Sequence, residues 1–172
     1  MKRGCKILKK MSVIGVLVGV FATAVTGCSN KQDNQKYENT VLDIENVAEE
    51  VLAKVSYAEQ LEVIDSDMME SIYTETDVGL IEKVVIYYNS AGTCDQLAVF
   101  QTVSVENANK VKESLKKDLE NQIEANRDYL PDEIPKLQDP YLEVIGKYVV
   151  LSVSADKSQV KTVIDDILEK VS

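Results

Sequence analysis

The sequence predicts an α+β domain in which N-terminal helices precede two ββα units, so that a four-stranded, mainly antiparallel sheet packs against helices. Two observations indicate this class: paired runs of β-branched and aromatic residues are separated by short turn signals, and each pair is followed by a helical stripe with a period near 3.6. A third observation is the length of the chain. The 145 residues behind a 27-residue leader suffice for one domain that buries roughly two-thirds of its unfolded surface.

The leader has the three parts of a bacterial secretory signal. Five basic residues come first, residues 11–25 form an uncharged apolar run, and small residues precede Cys28. The run is shorter than the roughly 20 residues that a membrane-spanning helix needs. We therefore predict a lipoprotein signal peptide over residues 1–27, cleaved between Gly27 and Cys28, with the lipid attached to Cys28. The alternative is an uncleaved anchor with an ordinary thiol.

Residues 28–42 are polar and lack hydrophobic periodicity, which predicts a flexible tether between the lipid and a single domain over residues 43–172. A diacylglyceryl group on Cys28 would bury two acyl chains at about 0.8 kcal/mol per methylene, so anchoring should be permanent. The predicted location is the extracytoplasmic face of the cell membrane, and the lipid is the predicted contact with the membrane.

Two helices are predicted before the first strand. Asp43 can cap the first, whose apolar positions recur at helical spacing. Asp67 and Glu70 form a capping-box pattern that should start a second, shorter helix. The apolar residues of the two helices are Ile44, Val47, Ala48, Val51, Leu52 and Val55, then Met69, Ile72 and Tyr73.

Two hairpins are predicted from the strand-like runs. Residues 80–89 and 97–103 flank a Ser-Ala-Gly turn signal, and residues 141–145 and 148–153 flank Gly146-Lys147, a two-residue spacing suited to a tight turn. A helix should follow each hairpin, capped by Ser104 and Ser154 respectively. Their apolar stripes are Ala108, Val111, Leu115, Leu119 and Ile123, ending near Tyr129 before Pro131 and Pro135, and Val160, Val163, Ile164, Ile167, Leu168 and Val171.

Each of these two helices should cover a sheet face, which gives a two-layer domain. In the first strand, however, both faces carry apolar side chains, so the second face of the sheet must be either covered or used for binding. Either the helix over residues 44–55 covers it, which we favour, or it is an exposed aromatic binding surface. The tyrosines in question are Tyr87, Tyr88, Tyr141 and Tyr148, whose ordinary role in strands is sheet packing.

Composition excludes several kinds of function. The chain has no histidine, which removes Ser-His-Asp and Cys-His nucleophile systems, and it has no glycine pattern for cradling phosphates, so we predict no catalytic residues and no cofactor. With the leader removed, 14 basic and 29 acidic residues remain, a formal charge of −15. Such a field repels nucleic acid.

Residues 65–70 resemble the opening of a calcium loop, but Met69 and Glu70 occupy the positions where an oxygen ligand and Gly are needed. No metal site is therefore predicted. Cys94 would be the one free thiol of the mature chain. We predict a small apolar residue at a strand start, with a redox or dimerising thiol as the alternative.

Several stretches together carry a resemblance to a known family. They are the helix at residues 43–54, Glu62-Val63-Ile64-Asp65 and residues 68–73, Val84-Val85-Ile86-Tyr87 with Leu97-Ala98-Val99-Phe100, residues 111–115 and Tyr129, and the hairpin and helix at residues 146–168. Over about residues 43–171 the chain resembles the domain-of-unknown-function family numbered 4358, although no single motif is diagnostic. The resemblance implies an anchored extracytoplasmic protein of Firmicutes-type bacteria without assigned catalytic residues, and an accessory role in O-acylation of envelope polysaccharide.

The predicted function is a non-enzymatic, lipid-anchored module that binds an envelope protein or polysaccharide. The alternatives are the O-acylation accessory role, a small-ligand-binding sensor, and an enzyme that uses carboxylates or the Cys94 thiol.

Cys28→Ala should abolish both processing of the precursor and membrane retention, because the acyl chains attach to this sulfur. Precursor size on gels and fractionation of membranes measure the two effects. Survival of both in the variant would contradict the lipoprotein prediction.

Overall fold

The computed structural model describes residues 36–89 and 92–171; Cys28 and the predicted signal peptide lie outside the described residues, and their assignments stay predictions. The helices are α1 (Ile44–Lys54), α2 (Met69–Ile72), α3 (Val105–Asn126), α4 (Ile134–Gln138) and α5 (Lys157–Val171). The strands are β1 (Glu62–Ile64), β2 (Ile81–Tyr88), β3 (Gln96–Thr102), β4 (Tyr141–Ile145) and β5 (Tyr148–Val153). Short 3₁₀ turns cover Ser66–Met68, Val78–Leu80 and Pro131–Glu133.

The strands form one antiparallel sheet in the order β1-β2-β3-β5-β4, which confirms the α+β class. The sheet has five described strands where four were predicted. The additional strand, β1, pairs Glu62 with Tyr88 and Ile64 with Ile86 at one edge. Three residues are too few to show an alternating pattern, so no strand could be predicted there.

Helices cover both sheet faces, so the domain has three layers rather than the predicted two. α1 and α5 pack on one face, while α2, α3 and α4 pack on the other. Leu97, Ala98, Val99 and Phe100 of β3 are consequently fully buried on alternate sides. The prediction that the helix beginning at Ile44 covers the second face is confirmed.

The alternative prediction, an exposed aromatic binding surface, is therefore wrong. Tyr141 and Tyr148 are buried, and Tyr87 and Tyr88 are half-buried on β2. The Tyr148 hydroxyl also accepts a hydrogen bond from the Leu42 backbone N–H at 3.1 Å. These rings pack the sheet and fix the incoming chain.

Helix starts follow the sequence prediction in two cases. The Asp43 carboxylate accepts from the N–H groups of Glu45 and Asn46 at the start of α1, and the Ser104 hydroxyl accepts from Asn107 N–H at the start of α3. Both side chains satisfy amides that the first helical turn leaves unpaired.

The other two caps were predicted at the wrong residue. Asp65, not Asp67, makes the capping contact, accepting from Asp67 N–H at 3.0 Å to open a 3₁₀ turn. α5 begins at Lys157, where the Asp156 carboxylate accepts from Ser158 N–H at 2.9 Å. The buried Ser154 instead directly follows β5, which ends at Val153. In both places an aspartate two residues from the predicted cap forms the local turn more directly.

The turn between β4 and β5 fixes the entry of the chain into the domain. Gly146 has φ +57°, and a Cβ built there would lie 2.3 Å from the Tyr37 carbonyl oxygen. Only glycine permits both the left-handed conformation and this close approach. The segment that includes Tyr37 and Leu42 therefore packs against the hairpin before α1 begins.

Gly146→Ala should lower the free energy of unfolding by more than about 2 kcal/mol, because strain at positive φ adds to a clash with the Tyr37 backbone. Gly92→Ala is the control: its φ is +102°, and no heavy atom lies within 4 Å of the built Cβ. Urea unfolding of the full-length protein measures both. Equal losses would show that the Tyr37 contact adds nothing.

Candidate binding groove

A groove of about 510 Å³ runs along β4, which is an edge strand with β5 on one side only. We call it the β4 groove. The strand supplies one wall and α5 the other, while Lys36 and Tyr37 close one end. Its lining residues are Lys36, Tyr37, Pro140, Tyr141, Leu142, Glu143, Val144, Ile145, Lys157, Ser158, Lys161, Asp165 and Leu168.

The β4 backbone offers hydrogen-bonding groups to this edge. Gly146-Lys147 joins the strands as a two-residue turn, so Ile145 and Tyr148 form the pair that exchanges hydrogen bonds. The pairs alternate along the ladder. The backbone groups of Leu142 and Val144 consequently point away from β5, as those of an edge strand do.

The α5 wall is a polar stripe at helical spacing. Lys157, Lys161 and Asp165 recur every four residues and face the groove. Lys161 donates to Asp165 at 2.6 Å, and this hydrogen bond raises the pKa of the Lys161 ammonium. Lys157 is paired with Asp139. Charge in the groove is close to balanced, in contrast with the acidity of the chain.

The groove opens on the α5 side of β4. From the other face, Lys112 of α3 donates to Glu143 at 2.9 Å. The Lys112 side chain is only 10% exposed, and no residue of α3 lines the groove. A ligand would therefore contact β4, α5 and the incoming chain.

The β4 groove carries three hydroxyl groups. Its hydroxyls belong to Tyr37, Tyr141 and Ser158, and the Ser158 hydroxyl is held by Asp156 at 2.5 Å. Burial raises the pKa of Tyr141 far above its usual range, so its phenol stays protonated.

Cys94, considered above as a reactive thiol, lies elsewhere and is buried, with 3% of its surface exposed. Burial, reinforced by Glu133, raises the pKa of this thiol. A protonated, buried sulfur is a poor nucleophile, so its position agrees with the predicted packing role.

Next to Cys94 lies a buried ion-pair cluster. Lys136 of α4 donates to Asp95 and Glu133, both at 2.8 Å. Asp95 is fully buried and also accepts from Ala58 N–H at 2.6 Å, and Glu133 accepts from Cys94 N–H. Although burial opposes it, the hydrogen bonds that Lys136 donates to these carboxylates raise the pKa of its ammonium. The cluster joins α4, the start of β3 and the loop after α1.

The described part of the chain contains neither a cluster of metal ligands nor a membrane-spanning helix. Among residues 36–89 and 92–171, no group of three or more Cys, Asp or Glu side chains is placed to hold a metal ion. No helix in the same ranges is long and apolar enough to cross a bilayer. Asp67 and Glu70, the residues of the failed calcium pattern, are exposed on the far side of the sheet from β4.

The fold and groove define a three-layer α+β domain with an open sheet edge. A family model described as "Domain of unknown function (DUF4358)" matches residues 53–154, and the chain belongs to this family. The matched region includes β4 and ends before α5. No curated protein and no solved structure matches the chain.

Of the residues singled out in the sequence, those of the predicted strand 141–145 and Leu168 of the last helix line the β4 groove. The others occupy the core, caps or a separate surface, and Cys28 lies outside the described residues. The lysines of α5 carry no motif, because i, i+4 pairs of Lys and Asp are common on solvated helices. The tertiary position of α5 beside an edge strand makes them part of a groove.

Lys136→Met should lower the free energy of unfolding by about 3 kcal/mol, because it leaves the buried Asp95 carboxylate without its counter-charge. Lys116→Met provides the control, since Lys116 makes a surface pair with Glu113 at 2.6 Å whose loss should cost less than about 1 kcal/mol. Urea unfolding of both full-length variants tests this. Similar small losses would show that the cluster is not stabilising.

Proposed function

We propose that the protein is a lipid-anchored, extracytoplasmic binding module whose β4 groove receives an extended segment of a membrane-associated partner protein. The observation that carries the proposal is the position of the groove where the chain enters the domain. Lys36 lines the groove and is eight residues from Cys28. Eight extended residues span at most about 29 Å.

This tether length limits where a partner can be. With Cys28 acylated, the Lys36 end of the β4 groove stays within about 29 Å of the membrane surface. A segment that emerges from a membrane protein on the same face lies within this range. Anchoring in the same membrane also raises the effective concentration of partner and groove.

The groove chemistry favours a peptide. The outward-facing amides of Leu142 and Val144 complement another extended backbone, which is the basis of strand addition. Balanced charge on the α5 wall lets a partner approach without the repulsion that the rest of the acidic chain imposes. The accessory role in polysaccharide O-acylation is a finer form of this proposal: the partner would then be a membrane-bound acyltransferase.

The partner can be captured by replacing Lys157 with photoreactive p-benzoylphenylalanine in the anchored protein and irradiating intact cells. A discrete protein adduct should form, identifiable by mass spectrometry, and should disappear with Cys28→Ala. The same amino acid in place of Lys110, an exposed residue on α3, is the positional control. Adducts of the same protein from both positions, or none from Lys157, would contradict the proposal. Adducts with polysaccharide alone would also contradict it.

Lys161→Trp should reduce the adduct from the Lys157 position about tenfold, equivalent to ~1.4 kcal/mol of binding, because the indole would fill part of the groove. Lys116→Trp is matched to it: each lysine makes a helical surface pair at 2.6 Å, with Asp165 and Glu113 respectively. Only the first variant lies in the groove. Equal adduct yields from both variants would show that the partner does not bind in the β4 groove.

A further inference from the structure

A second uncovered stretch of sheet edge lies along the first half of β2. β1 pairs with Ile86, Tyr87 and Tyr88 and then ends at Ile64, so residues 81–85 have no strand on their outer side among the described residues. The chain leaves the sheet there because the 3₁₀ turn at Ser66–Met68 begins. This edge is separate from the β4 groove, since three interstrand spacings, about 14 Å, separate β2 from β4.

The parity of the ladder shows which backbone groups face outward. Asn89 N–H donates to the Asp95 carbonyl, so Asn89 and Asp95 form a hydrogen-bonded pair toward β3. Alternation then directs the backbone groups of Tyr88, Ile86 and Val84 toward β1. β1 satisfies the first two positions. At Val84 the outward N–H and C=O have no strand beside them in the described chain.

A groove of about 730 Å³ lies beside this stretch, between β2 and the segment that includes α2. We call it the β2 groove. Its walls are the strand on one side and the 3₁₀ turn with α2 on the other, with Glu45 of α1 at its border. The lining residues are Glu45, Ser66, Asp67, Met69, Glu70, Val78, Ile81, Glu82, Lys83 and Val84.

The outer wall is held in place by buried contacts. Tyr73, which follows α2, packs edge-to-face on Phe100 with ring centroids 5.5 Å apart and donates to Gln96 at 2.9 Å. The buried Asp118 of α3 accepts from Glu75 N–H at 2.8 Å and from the Thr76 hydroxyl at 3.0 Å. The groove is therefore preformed by the core of the α3 face.

The charge of the β2 groove identifies its ligand class. Four carboxylates and one ammonium line it. Lys83 pairs with Glu45 at 2.6 Å, and Glu82 pairs with Lys147. Asp67 and Glu70 make no salt bridge within the described residues. An approaching cationic side chain therefore finds two exposed carboxylates beside the open backbone of Val84.

Apolar side chains border the same groove. Val78 lines the groove and exposes 43% of its surface, and Met68, which lies between the lining residues Asp67 and Met69 in the chain, exposes 49%. Large exposed apolar residues grouped beside a groove are typical of interaction surfaces. An extended segment presents its side chains to alternate sides, so it can place basic and apolar groups in turn.

We propose that the β2 groove binds an extended peptide segment that alternates lysine or arginine with apolar residues, lying along β2 from Ile81 to Val84. Backbone hydrogen bonds to Val84 provide the pairing, and Asp67 and Glu70 provide the charge selectivity. The proposal does not depend on the β4 groove, because the two sites share no lining residue.

The test measures binding of a labelled, end-blocked Lys-Val-Lys-Val-Lys-Val peptide to the full-length protein in detergent by fluorescence anisotropy. The double variant Asp67→Asn/Glu70→Gln should weaken binding roughly three- to tenfold, because it removes two ion pairs that are exposed to solvent and therefore individually weak. Both side chains are exposed, so folding should be retained, which circular dichroism checks. The control Glu113→Gln/Glu124→Gln removes two exposed carboxylates of α3 and should leave binding unchanged.

Two further measurements separate edge pairing from general attraction to an acidic protein. The same peptide with every backbone amide N-methylated should bind at least about tenfold more weakly, since it cannot donate to the β2 edge. Amide NMR shifts should concentrate at Ile81–Val84. Equal binding of the N-methylated peptide, equal weakening by both double variants, or no saturable binding up to millimolar peptide would overturn the proposal. Lys161→Trp should have no effect here, which distinguishes this result from the outcome for the β4 groove.

Discussion

Burial of β3 and β5 on both faces is the constraint from which the rest of the architecture follows. The side chains of Leu97 to Phe100 in β3 and of Val149 to Leu151 in β5 are completely removed from water. Apolar positions on both faces require apolar cover on both sides, because each exposed aliphatic side chain would forfeit about 1.5–3 kcal/mol. α1 and α5 provide one cover and α3 provides the other. Face-covered sheets leave only their edges for contact with other molecules, and both proposed grooves lie at such edges.

The sequence predicted the elements that contribute most to this core. The long stripes of α1, α3 and α5 repeat over several turns, and both hairpins combine strand-like runs with turn residues, so periodicity identified them. β1 and α2 contain three and four residues and were either missed or misplaced at their start. Elements this short depend on tertiary pairing, with Ile86 for β1 and with Phe100 through Tyr73 after α2. The sequence also contained the evidence for three layers, since β2 is apolar on both faces.

Neither groove could be predicted from the sequence, because each is formed by residues distant along the chain. The β4 groove combines Tyr37, Glu143 and Lys161, and no local pattern relates them. Asp67 and Glu70 were noted for their spacing, first as a helix cap and then as a failed calcium loop. The structure places them beside an unpaired strand instead. The sequence showed that the two residues carry carboxylates. It could not show that they lack a cationic partner among the described residues or that an unpaired backbone edge lies beside them.

Charged side chains protect both edges from indiscriminate strand pairing. Lys112 reaches Glu143 at β4, and Lys83 reaches Glu45 at β2, so each edge carries a charged pair near its open backbone. Charged side chains on edge strands oppose edge-to-edge association of identical copies. Self-association is further opposed by the formal charge of −15 that remains after the predicted cleavage, because like-charged domains repel at short range. A cationic segment escapes this repulsion and is attracted to the β2 groove. Selectivity for a strand from another protein over a second copy of this chain is thus a consequence of the acidity of the chain. Packing of the core alone does not require that acidity.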